Sequence, residues 1–403
     1  MRHTHAVVIG GGIGGLTAAI ALHRRGWSVT VLERATALAP VGAAIGLAPN
    51  SQRALDVIGL GDRVRTLAAW QGDGGMRTPR GRWIARLDAR ATAERYGGPL
   101  VLLHRATLVG LLADALPDGA VRTATAATLT DPGAPDRPAV VTTPDGPLEA
   151  GLVVAADGIN SATRRTLFPD HPGPAYSGYT TWRLVIPAPG PFTPHETWGP
   201  GRLWGSHPLK DGRVYAYAMA TAPAGVRADD EKAELLRRFQ GWHDPIPAIL
   251  DAVRSDEILR HDVHFMKVPL PAFHRGRVAL LGDAAHAMQP TLAQGGNQAI
   301  EDAVVLGQYA PVGIDVHRAL AAYTVDRLPR TTAIVRQAAR AGRLATLGSA
   351  PVAAVRNSLM AAVSRFGPGI VLRGFDGIAD WAPPAPTYAA DSHDLPEQHI
   401  TNR

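Results

Sequence analysis

"VVIGGGIGGLTAAIALHRRGWSVTVLER", Val7 to Arg34, reads as strand, glycine turn, helix and strand, closed by an acid. The run Ala6 to Ile9 is short and apolar, as a strand buried on both faces must be. Gly10, Gly12 and Gly15 fit G-x-G-x-x-G. The first glycine permits the tight turn, the second lets the backbone approach a pyrophosphate, and the third lets helix and strand pack closely. The helix is predicted to begin near Gly14, where its free amides offer a site for negative charge. Ser28 to Leu32 is the second strand, and Glu33 ends it at the distance where a carboxylate accepts both ribose hydroxyls of an adenosine. A 2′-phosphate would be repelled there. The stretch therefore predicts a dinucleotide site on a Rossmann-like α/β fold.

The rest of the chain limits the chemistry. Its 403 residues suffice for two or three domains, and 46% are hydrophobic, so a sizeable core is expected. There are 41 basic and 35 acidic residues, giving a net charge of +6. The basic residues are nearly all arginines, scattered without a run of like charge. This predicts mild attraction for anionic ligands and no nucleic-acid groove. Absence of cysteine excludes disulfides, thiol catalysis, cysteine-held metal and cysteine-linked flavin. His207, His261 and His264 lack metal-site spacing and read as satisfied surface histidines, so no metal is expected. No apolar stretch has the roughly 18 residues a membrane span needs. The start is too short in apolar residues for a signal peptide. The expected location is the cytoplasm, without integral membrane association.

Two later stretches narrow the dinucleotide. Leu152 to Ala155 is another apolar strand, followed by Asp157 and Gly158; Val278 to Leu281 is a third, ending at Gly282 and Asp283. A carboxylate at the C-terminal end of a parallel strand points into the ligand crevice. Gly295, Gly296 and Asn297 then open a helix whose N-terminus suits a ring that gains negative charge on reduction.

This ordered triple resembles the FAD-dependent aromatic hydroxylases, the class A flavoprotein monooxygenases that act on salicylate, hydroxybenzoates or urate. The resemblance spans about Ala6 to Arg340 and includes "VGAAIGLAPNSQRALDVIGL" (Val41 to Leu60) and "HRATL" (His104 to Leu108). It implies non-covalent FAD, with NADH or NADPH as transient donor and O₂ as co-substrate. Oxygen would reach an electron-rich aromatic or heteroaromatic small molecule through a flavin C4a-hydroperoxide. The cofactor contacts implied are Gly10, Gly12, Gly14 and Gly15 at the turn, Glu33 on the ribose and Arg34 beside the adenine. Arg105 would lie near the phosphates or ribityl chain, Asp283 would hold the ribityl chain, and Gly295 to Asn297 would face the pyrimidine edge. Asp157 would shape the FAD site and assist the donor.

The cofactor domain is expected to be discontinuous, built from 1–70, 100–172 and 275–345 and of the glutathione-reductase type. An inserted α+β substrate domain, 71–99 and 173–274, carries a mainly antiparallel sheet of segments split by Pro and Gly turns. One helical insert is predicted over Asp229 to Gln240, and Arg82 to Ala89 is a candidate extra strand. A C-terminal helical segment follows over 346–385, with "SLMAAVSRF" (Ser358 to Phe366) as a packing helix or a surface anchor. Residues 386–403 read as a loose tail.

Alternation in "VYAYAMA" sets Tyr215, Tyr217 and Met219 on one face. Tyr215 and Arg202 resemble the tyrosine and arginine that fix the substrate in the urate-hydroxylase branch, though the spacing between them is one residue longer here. Both are taken as candidate catalytic residues. Rival readings are an epoxidase of an alkene or polyketide-type substrate, a halogenase, and a non-enzymatic carrier on the same fold. "WRLVIP" (Trp182 to Pro187) only half-matches the halogenase element, and no lysine precedes Lys210. Monomer and homodimer both remain open.

Overall fold

The computed structural model describes residues 4–38, 43–366, 373–384 and 388. Its cofactor half is built on a six-stranded sheet. The order is His274–Arg275, Val278–Leu280, Leu152–Ala155, His5–Ile9, Ser28–Leu32 and Val121–Arg122. All neighbours are parallel except the first pair, a short hairpin. The central strands are fully buried, which explains their unbroken apolar runs. Helix Ile13–His23 packs against helix Gly295–Tyr309, and both share one core with the sheet. A three-stranded antiparallel sheet, Thr128–Asp131, Ala139–Thr143 and Gly146–Ala150, adds Leu129, Val141 and Leu148 to that core.

The other half is a seven-stranded sheet. Its order is Leu259–Phe265, Ala175–Pro187, Arg213–Thr221, Arg202–Pro208, His195–Gly199, Gly74–Arg77 and Trp83–Leu87. Every pairing is antiparallel except His195–Gly199 with Gly74–Arg77. Two helices cover its back. The single insert expected over Asp229 to Gln240 is Glu231–Phe239, followed by a second helix, Ile246–Ala252. The first is well specified locally. Asp230 caps it, Glu231 and Glu234 occupy its first turn, and Arg237 and Arg238 its last. The second is only seven residues long, too short for its period to stand out. Trp182, Trp204, Phe239 and Trp242 form a separate core between sheet and helices.

Helix Val316–Ala345 runs from the cofactor half to the substrate sheet, and the chain then turns into helix Ala350–Phe366. That last helix begins eight residues before the Ser358 start read from the sequence, and it packs on strand Trp83–Leu87. The tail reading fails at one residue. Tyr388 is buried, with its backbone amide bonded to the Val57 carbonyl. The remainder, 386–387 and 389–403, lies outside the described residues.

Candidate functional site

The glycine turn is shaped as its spacing requires. Gly10 has a φ of +108°, and a Cβ there would lie 2.4 Å from the Ala156 carbonyl oxygen. At Gly15 a Cβ would lie 2.0 Å from the Gly10 carbonyl oxygen, and at Gly14 it would meet Leu281 at 2.6 Å. Gly12 faces open space. Three glycines thus admit close packing of protein on protein, and the fourth leaves room for a ligand at the start of the helix. Glu33 lies half-buried beside them. Its two carboxylate oxygens accept the amides of Gly11 (2.7 Å) and Ala35 (2.8 Å), which fixes the acid at the rim. Arg34 is exposed next to it.

The other two motifs converge on the same crevice. Asp157 braces helix Ala162–Leu167, which Ser161 caps: one carboxylate oxygen accepts the amide and hydroxyl of Thr163, while Oδ1 is buried with no partner. An orphaned carboxylate oxygen at a strand end is an acceptor waiting for a donor. Asp283 follows Gly282 and opens a short helix. Its side chain stands open to the groove, yet the protein walls around it raise its pKa, an effect partly offset by His286 and Arg105. Arg105 projects into the same groove, its own pKa lowered by burial and by the charge of Arg183 while Asp283 opposes.

Helix Gly295–Tyr309 presents its first amides to this crevice; a Cβ on Gly296 would strike Ile45 at 2.6 Å. Asn297 departs from expectation. Its side chain does not face the groove: Oδ1 accepts from Ala48 and Ser51, and Nδ2 donates to the carbonyls of Gly46 and Ala293. It pins strand Ala44–Leu47 to the helix start, so only the backbone of this motif is free to meet a ring. An amide with four partners in reach is drawn into the protein, and the sequence does not reveal those partners.

Behind the groove lies a charged network that the sequence reading passed over. Glu301, Asp302 and Arg327 are completely buried. Asp302 accepts from the Gly282 amide, from His286 Nε2 and from Arg327 Nε. Burial opposes its ionisation, but His286 and Arg327 outweigh it and hold its pKa at about 2. Glu301 accepts from Arg327, Arg330, Gln298 and Asn50. Two acids in the otherwise apolar "AIEDAVVLG" are the visible signal, because buried carboxylates need buried cations.

The substrate sheet divides by register. Leu203, Gly205 and His207 stand opposite Met219, Tyr217 and Tyr215, with Arg183 and Val185 continuing the same face. This front contacts the cofactor half: Tyr179 donates to Gln289, and Arg183 is close enough to Arg105 and Tyr215 to act on both. Its polar groups form a chain. Tyr217 donates to Glu196 (2.5 Å), Trp198 also donates to Glu196 (2.9 Å), and His207 stacks on the Tyr217 ring. His207 Nδ1 meets Gln71 Oε1 at 3.2 Å, which makes Nδ1 the donor, and Nε2 faces the Tyr217 hydroxyl at 3.5 Å. Burial, then His195, lowers the His207 pKa to about 4. Burial pushes Tyr215 up to about 12 against the pull of Arg183. His207 is therefore a half-buried imidazole in the front of the sheet and not a surface histidine.

Arg202 is on the other side. It pairs with Ala220, so it shares the back face with Trp204 and Ser206. Its guanidinium lies 5.8 Å from the Trp242 ring centre, and its pKa is lowered by burial and by Arg238 and Arg237. The expectation that Arg202 and Tyr215 meet over one ligand is corrected. In a strand a single additional residue reverses the face, and the spacing carries one. Arg183, Glu196 and His207 take its place on the front. Their alternation was readable, but not which strands lie beside Tyr215. No cluster of metal-ligating groups occurs among the described residues.

Comparison with known proteins bears on this site. Residues 3–338 match the FAD binding domain family. The chain is 37% identical over 364 residues to the aurachin C monooxygenase/isomerase of Stigmatella aurantiaca, covering 89% of this chain and 94% of that protein. It is 37% identical over 386 residues to a 3-amino-4-hydroxybenzoate 2-monooxygenase of Streptomyces platensis, covering 92% and 95%. The crystal structure of Klebsiella pneumoniae HpxO with FAD and uric acid superposes with a TM-score of 0.83 at 28% identity, over 93% of this chain and 96% of that one.

Proposed function

The chain belongs to the FAD binding domain family and is an FAD-dependent monooxygenase; on that premise we propose that it hydroxylates a flat phenolic or enolic aromatic ring. NADH or NADPH is the electron donor in this reading, and O₂ the co-substrate. The observation that carries it is the front of the seven-stranded sheet, where Arg183, Glu196, His207, Tyr215 and Tyr217 are all half-buried on one face. The names of relatives that act on aminohydroxybenzoate, and of a structure holding uric acid, support the same substrate class.

The residues present fit FAD: the glycine cradle, the orphaned Asp157 oxygen and the Asp283–Arg105 pair in one groove. Glu33 would hold the adenosine ribose with Arg34 beside the adenine. Arg105 would meet the phosphates or ribityl chain, Asp283 the ribityl chain, and the amides of Gly295 and Gly296 the ring. Bound FAD, once reduced, supplies the activation of O₂. The chain's own groups do the rest. Arg183 favours the anionic form of a substrate hydroxyl, which makes the ring a better nucleophile. The neutral His207 accepts a hydrogen bond from a second polar group, and the Tyr215 hydroxyl fixes the ring's direction. The wall between sheet and cofactor half keeps water out.

The test is steady-state turnover on a panel of phenols, hydroxybenzoates, hydroxylated heteroaromatics and purines, with product, peroxide and NAD(P)H followed together. Arg183→Ala is expected to lower kcat/KM by roughly 10- to 150-fold, from the loss of a charged contact of about 1.5–3 kcal/mol, with FAD content unchanged. Near-normal turnover in that variant would place the substrate elsewhere.

A further inference from the structure

Helix Ala350–Phe366 has its polarity reversed for a surface helix. The polar side chains face inward. Arg356 is 5% exposed and donates to the carbonyls of Leu344, Ala345 and Gly199, while Asn357 donates to that of Trp198. The outer face is apolar. Val352, Val355, Leu359 and Val363 are 47%, 59%, 63% and 43% exposed and recur at three- and four-residue intervals, one stripe along the helix. Leu344, 42% exposed, ends the preceding helix beside it. Exposed Ala354 and Ala362 widen the stripe, and only Ser358 and Arg365 interrupt the outward face with polar atoms. Scattered apolar residues on a surface need no cause, but a continuous stripe does.

The charge along this part of the sequence is one-sided. Between Asp326 and Asp376 the sequence has no acid at all. Arg336, Arg340 and Arg343 are exposed on the last turns of helix Val316–Ala345, at spacings that set them on one side. With Arg365 they have no carboxylate partner among the described residues. Arg327 and Arg330, by contrast, are neutralised by Glu301 and Asp302.

We propose that helix Ala350–Phe366 is a peripheral docking surface for an anionic lipid bilayer. The Val352–Val363 stripe enters the boundary between headgroups and acyl chains, while Arg336, Arg340, Arg343 and Arg365 meet the headgroup charge. A helix lying in the plane of a membrane needs an apolar stripe with cations near it; Arg365 lies on the helix itself and Arg343 precedes Leu344, whose carbonyl the helix contacts. A second copy of the chain fits less well, because a symmetric contact through the stripe would bring the unpaired arginines of both copies together. No helix among the described residues is long and apolar enough to cross a membrane, so the contact is a surface one.

The experiment is co-sedimentation of the full-length holoenzyme with two kinds of vesicle, phosphatidylcholine alone and phosphatidylcholine mixed with phosphatidylglycerol. Binding is expected to the mixed vesicles only, and to weaken in high salt. The double variant Val355→Glu with Leu359→Glu should abolish it. The triple variant of Arg336, Arg340 and Arg343 to Gln should lower the partition constant by roughly 100-fold. All five positions are solvent-exposed, so FAD absorbance and melting temperature should match the parent in both variants. Failure of the parent to bind mixed vesicles overturns the proposal, as does equal binding by the double variant. A dimer in size-exclusion chromatography that the double variant dissolves, without vesicle binding by the parent, assigns the stripe to a second copy instead.

Discussion

The two faces of strand Arg202–Pro208 are made by the same seven residues and have opposite character. On the back, Trp204 and Ser206 are fully buried, sealed by two helices, and Trp204 donates to Ser206. On the front, the side chain at Gly205 is a single hydrogen, and the Tyr217 ring occupies the space a larger one would take. His207 beside it turns Nε2 toward the Tyr217 hydroxyl at 3.5 Å. The back is closed by the helices that pack on it, whereas the front carries half-buried polar groups and meets the cofactor half. In the proposed reading the front is the face for a ligand, and the division follows from register alone. Arg202 illustrates the rule: chemically suited to an anionic substrate, it is one step out of phase.

The sharpest way to strain this contrast is Gly205→Ala. A Cβ there would lie 2.2 Å from Cζ of Tyr217, so the ring must move and its bond to Glu196 with it. Overpacking of this kind costs about 1–3 kcal/mol of stability. The displaced ring should lower kcat/KM by at least about tenfold with FAD still bound, since misplacement of about 1 Å can cost 10²-fold. Thermal unfolding and turnover on the same preparation check it. Unchanged turnover would mean that Tyr217 is not part of the substrate wall.

A smaller effect distinguishes the faces by pH. Burial lowers the pKa of His195, on the back, and of His207, on the front, from 6.5 to about 4. Between those values the unfolded chain binds protons that the folded chain refuses. Stability is therefore full above about pH 6.5 and falls as the pH drops toward 4. A ligand that donates to the neutral His207 lowers its pKa further. With substrate bound, the acid-side fall in melting temperature should therefore extend to lower pH in the parent, and be the same with and without substrate in His207→Gln. A parent whose melting temperature is flat from pH 7 to about 4 would contradict the burial of both histidines.

The smallest effect expected is that of Arg202→Ala. Its guanidinium has no carboxylate partner among the described residues, and Arg237 and Arg238 stand nearby. Removing it should change stability by no more than about 1 kcal/mol and leave kcat/KM within a few-fold. A loss of tenfold or more would restore Arg202 to the substrate side.

These contrasts show what a sequence can carry. The cofactor half was legible because its devices are local. A glycine turn, a strand-end acid and a helix start are each fixed by neighbours a few residues away. Gly10, Gly15, Glu33 and Asp283 accordingly lie where the spacing put them. Asn297 was readable as a helix-start residue but not as a clamp, because its partners Gly46, Ala48 and Ser51 are some 250 residues distant. The face shared by Tyr215 and Tyr217 was legible from alternation, whereas its extension to Arg183, Glu196 and His207 depends on pairing among four strands. Glu301 and Asp302 announced themselves as acids among apolar residues, while Arg327 gave no sign of being their counter-ion.

The bond from Asp302 to the Gly282 amide bears on how the flavin comes and goes. The turn that presents Asp283 is fastened from behind, by helix groups that never face the ligand. The position of this turn is thus set by charges in the dry interior, and only its outer side is left for the flavin to meet.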